Sequence, residues 1–165
     1  MHPKILKLCK KIEKKIELVL MKSSNKEVTI NHNAKQLFNI VLDLEKYPEF
    51  IPWCTDMEIY SKKTNEIFAD LYVFYKLLLP QKFGSHVIFN VEKLEIKTIY
   101  IEGPLKDLKT DWQFNPISRN KTIVNFSVYF EFKRFLHQKF AEIFYPLIEN
   151  NMIESFKQRA NQILN

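Results

Sequence analysis

Glycine is almost missing from this chain: Gly84 and Gly103 are the two it has in 165 residues. Phosphate-cradling loops need several glycines close together. Neither GxGxxG nor GxxxxGK can be written here, so nucleotide chemistry by those routes is excluded. Cysteine is equally sparse. Cys9 and Cys54 stand far apart with no CxxC spacing, which argues against a disulfide framework or a zinc ribbon and points to a reducing compartment. The four histidines, His2, His32, His86 and His137, are scattered and form no HExxH, so a metal centre would have to be assembled from distant parts. No apolar run reaches the roughly 18 residues of a membrane span, and lysines interrupt every early apolar stretch. Neither a transmembrane helix nor a secretory signal is expected.

What the chain has in quantity is apolar and aromatic surface. Hydrophobic residues make up 46% and aromatics 14%, with 14 Phe and 7 Tyr, a strand-favouring composition for one ordinary domain. The formal charge of +6 has a single source: residues 1–26 hold eight Lys against two Glu, and the remainder is neutral. A basic tail on a neutral domain is not the basic face that general nucleic-acid binding uses. Within the tail, Ile5, Leu8, Ile12, Ile16 and Leu20 recur at helical spacing, with Lys4, Lys7, Lys10, Lys11, Lys14 and Lys15 between them. This predicts a basic amphipathic helix and a contact with a membrane surface, followed by a Ser-Ser-Asn hinge at residues 23–25. The plainer reading is a solvated extension, Met21 being a second possible start. The division expected is an extension over residues 1–26 and a domain over 27–165.

A first strand is expected over Glu27–Asn31. A helix follows, started by Asn33 with Gln36 three residues on and striped by Leu37, Ile40, Val41 and Leu44. Pro48 and Pro52 then break the chain into a turn or short helix. From residue 55 to 133 the period is two, which predicts six consecutive antiparallel strands with one face buried. The last 30 or so residues return to helical spacing through Phe140, Ile143, Phe144, Leu147, Ile148, Met152, Phe156 and Ile163, with Pro146 expected to loosen the first half. The class is therefore α+β, a curved antiparallel sheet wrapped around a long C-terminal helix, an arrangement that leaves room for a lipid pocket.

The strand positions read as inward are almost all apolar: Ala69, Leu71, Val73, Val87, Phe89, Val91, Ile99, Ile101, Leu108, Trp112, Phe126, Val128 and Phe130. Beyond Ser85 and Thr110 the inward positions offer no proton donor, which argues against acid–base catalysis. His86 alternates outward. For Phe126, Phe130 and Phe144, core packing is the plainer reading of each taken singly. As a group, the candidate ligand contacts are Leu71, Val73, Val87, Phe89, Ile101, Trp112, Phe126 and Phe130 from the strands, and Phe144, Leu147 and Ile148 from the helix. Phe50 and Trp53 are placed at an entrance, because two prolines stiffen a segment more apolar than a plain turn needs.

Residues 43–54 read Asp-Leu-Glu-Lys-Tyr-Pro-Glu-Phe-Ile-Pro-Trp-Cys. This segment resembles the YPxFxPWC signature of the coenzyme-Q-binding START-like family, part of the polyketide cyclase superfamily. Gly103-Pro104-Leu105 with Leu108, Trp112 and Phe114 is similar to the family's GPF turn and W-x-F strand. Residues 124–132 are similar to its last strand, and Phe144-Tyr145-Pro146-Leu147 through Met152, Phe156 and Arg159-Ala160 to its closing helix. Two departures bear on pocket shape: Leu105 stands where Phe is usual, and Val73–Leu77 lacks a common glycine.

The resemblance spans about residues 27–164. It implies a helix-grip fold, ubiquinone as bound ligand, no catalysed reaction and no catalytic cofactor or metal. It further implies a carrier or chaperone role in respiratory electron transport, with respiratory complexes as possible partners. Some relatives in this family are ribosome-association toxins acting on the large ribosomal subunit, and more distant ones are aromatases or cyclases, so fold alone leaves those functions open. Lysine rather than arginine, with Glu13 and Glu17, fits a mitochondrial transit peptide poorly. The expected location is the bacterial cytoplasm, peripheral to the inner membrane, the alternative being the matrix side of the mitochondrial inner membrane.

Overall fold

A computed structural model describes residues 3–76, 79–133 and 138–164. Helix α1 (Pro3–Leu20) leads into strand β1 (Met21–Ile30), then α2 (Ala34–Leu42), a 3-10 turn (Leu44–Lys46) and the short α3 (Tyr47–Phe50). Six strands follow: β2 (Cys54–Lys62), β3 (Glu66–Val73), β4 (Gln81–Asn90), β5 (Glu95–Glu102), β6 (Asp107–Ser118) and β7 (Lys121–Glu131). The chain closes with α4 (Gln138–Pro146), a π turn (Leu147–Asn151) and α5 (Met152–Ile163). Strands β2 to β7 form an antiparallel meander, and β1 lies beside β7, giving a seven-stranded sheet in the order β1-β7-β6-β5-β4-β3-β2. The sheet curves over the closing helix, which is the helix-grip arrangement.

Helix α2 starts where its cap allows. The Asn33 side chain accepts from the N–H groups of Lys35 and Gln36 at 3.0 and 3.3 Å, satisfying donors that have no partner within the helix. Leu37, Phe38, Ile40 and Val41 are buried along one face. Pro48 then falls in the first turn of α3, where a missing N–H costs nothing. The Tyr47 hydroxyl donates to the Val41 carbonyl at 2.5 Å and ties α3 back onto α2. At the other end of the sheet, Gly103 has φ +142°, and a Cβ there would lie 2.5 Å from the Lys82 carbonyl oxygen, so the turn needs glycine. The Tyr100 hydroxyl fixes the same turn by bonding both the N–H and the C=O of Leu105, each at 3.0 Å.

Three expectations change. The segment expected to hinge at residues 23–25 is strand: Ser23, Ser24 and Asn25 pair with Tyr129, Val128 and Ser127. Backbone pairing covers the edge of β7 without needing apolar side chains, so β1 begins at Met21 and Met21–Lys26 belong to the sheet. Strand β5 is turned by one residue from the expected register. Ile96 pairs with Trp112 and Thr98 with Thr110, so Ile96, Thr98 and Tyr100 face inward while Ile99 and Ile101 lie outward, 42% and 48% exposed. Val91 is likewise exposed, in the turn after β4. In the closing helix, Pro146 lies inside the element, the position from which it is expected to loosen the first half. A π turn follows it, absorbing the missing N–H and the ring's clash with the preceding turn. Ile163 lies 49% exposed rather than on the buried side, and the side chain of Phe140 falls outside the described residues.

Candidate functional site

A cavity lies between the inner face of the sheet and the closing helix. It contains about 690 Å³ of space free of atoms, its open mouth included, of which about 80 Å³ admits the centre of a water molecule. It is a narrow slot.

The meander supplies most of the lining: Met57 from β2, Ala69 and Leu71 from β3, Phe83, Ser85 and Val87 from β4, Thr98 from β5, and Leu108, Thr110 and Trp112 from β6. Leu44 and Tyr47 close one side, and Phe144, Ile148, Met152 and Phe156 of the closing helix cover the top. The π turn sets the phase between Ile148 and Met152 on this face, so the distortion at Pro146 shapes the cavity directly.

Of the expected contacts, Leu71, Val87, Trp112, Phe144 and Ile148 line this cavity. Val73, Phe126 and Phe130 are buried on the same inner face but stand behind the lining, Phe126 with its ring 4.3 Å from Trp112 and Phe130 5.5 Å from Phe144. Phe89 packs edge-on to Phe38 at 6.5 Å, beyond the cavity. Leu147 lines a shallower and more polar hollow with Tyr75, Lys76 and Glu142. Ile101 stands at the bulge between the Gly84–Glu102 and Ser85–Tyr100 pairs and is exposed. Neither Phe50 nor Trp53 reaches the cavity. Phe50 packs against Tyr47 and Phe156, with the Arg159 guanidinium 5.4 Å over its ring. Trp53 is 1% exposed and its Nε1 has no hydrogen-bond partner among the described residues.

The contacts missed are instructive. Thr98 and Tyr47 line the cavity but carry polar atoms, so an apolar stripe could not find them. Thr98 becomes legible only once Ile96, not Ile99, is taken as the inward residue of β5.

Among the described residues no Asp, Glu, Lys, Arg or His lines the cavity. Its one phenol, Tyr47, is held far above the usual phenol range by burial, with the nearby Cys54 and Asp43 adding to the effect. Burial also pushes the Cys54 thiol up to about 12. The described lining therefore offers apolar area and neutral hydroxyls. The paired titratable groups lie elsewhere. On the outer face, the His86 ring stacks on Phe68 at 4.1 Å with its Nε2 2.7 Å from Glu66 Oε2, and that contact, with Lys63, holds the Glu66 carboxyl below its usual range. Among the described residues no cluster of His, Cys, Asp and Glu could hold a metal ion, and no helix is long and apolar enough to cross a membrane.

The profile of the family described as polyketide cyclase / dehydrase and lipid transport matches residues 30–157. The chain is 31% identical over 136 residues to the ribosome association toxin RatA of Rickettsia prowazekii, covering 81% of this chain and 92% of that protein. It is 27% identical over 138 residues to the mitochondrial coenzyme Q-binding protein COQ10 homolog B of Xenopus laevis, covering 81% of this chain and 56% of that one. Among solved structures, the Zhui aromatase/cyclase of a Streptomyces species superposes with a TM-score of 0.76 at 14% identity, over 88% of this chain and 96% of the other. A START superfamily protein of Mycobacterium smegmatis superposes with a TM-score of 0.71 at 16% identity, over 86% and 98%. At such identities the likeness shows a shared fold.

Proposed function

This chain belongs to the polyketide cyclase / dehydrase and lipid transport family, and from that premise we propose that it is a non-catalytic binding protein for an isoprenoid quinone, ubiquinone first. It would carry or chaperone that quinone for respiratory electron transport. The observation that carries the reading is the chemistry of the slot: it is narrow and apolar, and none of the described residues that line it is charged. Such a site suits a flat neutral ring bearing a hydrocarbon tail. Burial of the tail gains about 25 cal/mol per Å² of apolar area, which anchors the ligand without any ionic contact. The likeness to a coenzyme Q-binding protein supports the same ligand class. The test is mass spectrometry of lipid extracted from the purified protein: ubiquinone in near-stoichiometric amount is expected, and a preparation from a quinone-producing host that carries none would overturn the reading.

A second reading is association with the large ribosomal subunit, favoured by the RatA likeness over 92% of that protein's length. Sedimentation through sucrose with purified subunits separates the two. Stoichiometric co-migration with the large subunit, by protein stripped of lipid, would put ribosome binding first.

A further inference from the structure

Three hydroxyls stand together on the floor of the otherwise apolar slot. Thr98 of β5 lies directly opposite Thr110 of β6, and Ser85 of β4 lies two residues before Val87, the residue opposite Thr98. Directly opposed side chains in a sheet stand about 5 Å apart and diagonal ones about 7–8 Å, so the three form one polar patch at the centre of the sheet. All three line the cavity, and Thr110 is only 8% exposed. Among the described residues none of the three hydroxyls has a side-chain hydrogen-bond partner, and none is a fully sealed polar atom like the indole nitrogen of Trp53. Valine has nearly the shape of threonine and lacks its hydroxyl, so filling space beside Thr98 and Thr110 does not by itself require their oxygens.

We infer that Ser85, Thr98 and Thr110 form a hydrogen-bonding seat for the uncharged, oxygen-bearing end of the ligand, and that the seat selects neutral carbonyl or ether lipids over fatty acids. A hydroxyl left unpaired in an apolar site loses the bonds it made in water; a ligand carbonyl or methoxy oxygen restores them. A carboxylate placed there would be buried without a countercharge from the described lining, which holds no cationic side chain. The polar end therefore rests on the centre of the sheet, and the hydrocarbon runs along the helix-covered slot beside Leu71 and Met152. This rests on the lipid-binding reading of the cavity, and names the part of the ligand that is recognised.

The experiment uses the full chain, wild type and Thr98→Val/Thr110→Val, with binding read from the fluorescence of Trp112, which lines the cavity. The probes are decylubiquinone, a long-chain methyl ketone, a hydrocarbon of matched length, and oleate. Wild type is expected to bind the two carbonyl probes more tightly than the hydrocarbon, and oleate most weakly. The double variant should lose roughly tenfold in carbonyl-probe affinity and nothing for the hydrocarbon. Thr98→Ser/Thr110→Ser, which keeps both oxygens, should restore the difference, and thermal midpoints report whether each variant folds. Should Thr98→Val/Thr110→Val not fold, Ser85→Ala carries the same comparison. Equal losses for all probes, no loss, or preferential binding of oleate would overturn the seat. A wild type that ignores decylubiquinone but binds the ketone through the same hydroxyls would remove the quinone reading and keep the seat.

Discussion

Phe83 of β4 and Phe144 of α4 lie face to face, ring centroids 5.1 Å apart and planes within 3° of each other. Both line the slot, so one aromatic contact fastens the closing helix to the sheet and walls the ligand site. The Phe130 ring meets Phe144 from the side at 5.5 Å and 75°.

Truncation of this contact should be costly. Phe144→Ala and Phe83→Ala are each expected to lower the unfolding free energy by about 3–5 kcal/mol in urea titrations. The double variant should show a coupling of about 0.5–1.5 kcal/mol. Strict additivity would mean that the rings merely fill space independently.

The sequence carried the fold more fully than the site, for physical reasons visible in single strands. In β6 and β7, Trp112, Phe114, Val124, Phe126 and Phe130 alternate with polar residues, so the inner face was legible. In β5 the inner residues are Ile96, Thr98 and Tyr100, and the outer ones include Ile99 and Ile101. There the more apolar row faces outward, and a period-two reading picks the wrong face. The polar seat was half legible: Ser85 and Thr110 sit on rows whose neighbours are plainly apolar, whereas Thr98 is hidden by that slip. Strand β1 was legible only from Glu27 onward, because Met21–Lys26 contribute backbone pairing rather than apolar side chains.

Trp53 looked like part of an entrance and is instead deeply buried, its indole N–H without a partner among the described residues. Trp53→Ala should therefore lower stability by about 3–5 kcal/mol, as for a core aromatic. Ligand bound per folded molecule, measured by extraction below the unfolding transition, should remain near the wild-type value. A selective loss of ligand with stability unchanged would return Trp53 to the entrance.

The two cysteines should react very differently. Cys9 is exposed and Cys54 is buried, its thiol pushed up to about 12 chiefly by desolvation. A chromogenic disulfide reagent at pH 8 is expected to modify Cys9 rapidly and Cys54 only after denaturation. The same burial sets an alkaline limit. The folded protein keeps the Cys54 proton that an unfolded thiol loses near 9, so its contribution is whole below pH 9 and is lost between pH 9 and about 12. Tyr47, also held up by burial, acts in the same direction as pH rises above 10. Thermal midpoints should fall through that window, and Cys54→Ala should reduce the fall.

Helix α1 is expected to bring the protein to a membrane surface. Ile5, Leu8 and Ile12 are 51%, 59% and 49% exposed, on a helix whose sequence also carries six of the lysines that make up the whole chain's excess charge. An apolar stripe left in solvent beside a row of cations suits an anionic bilayer, where each Lys contributes on the order of 1 kcal/mol near the surface and the stripe buries among acyl chains. Strand β1 starts at Met21, so a chain beginning there keeps every sheet pairing. That shortened chain is expected to unfold at the wild-type temperature and to bind decylubiquinone normally. It should lose binding to vesicles rich in phosphatidylglycerol. Full-length binding should weaken as salt rises, because at about 0.1 M the Debye length is already near 10 Å and exposed charges are screened beyond it. Vesicle binding that is equal for both chains, or indifferent to salt, would assign membrane contact to the folded domain and leave α1 with no part in it.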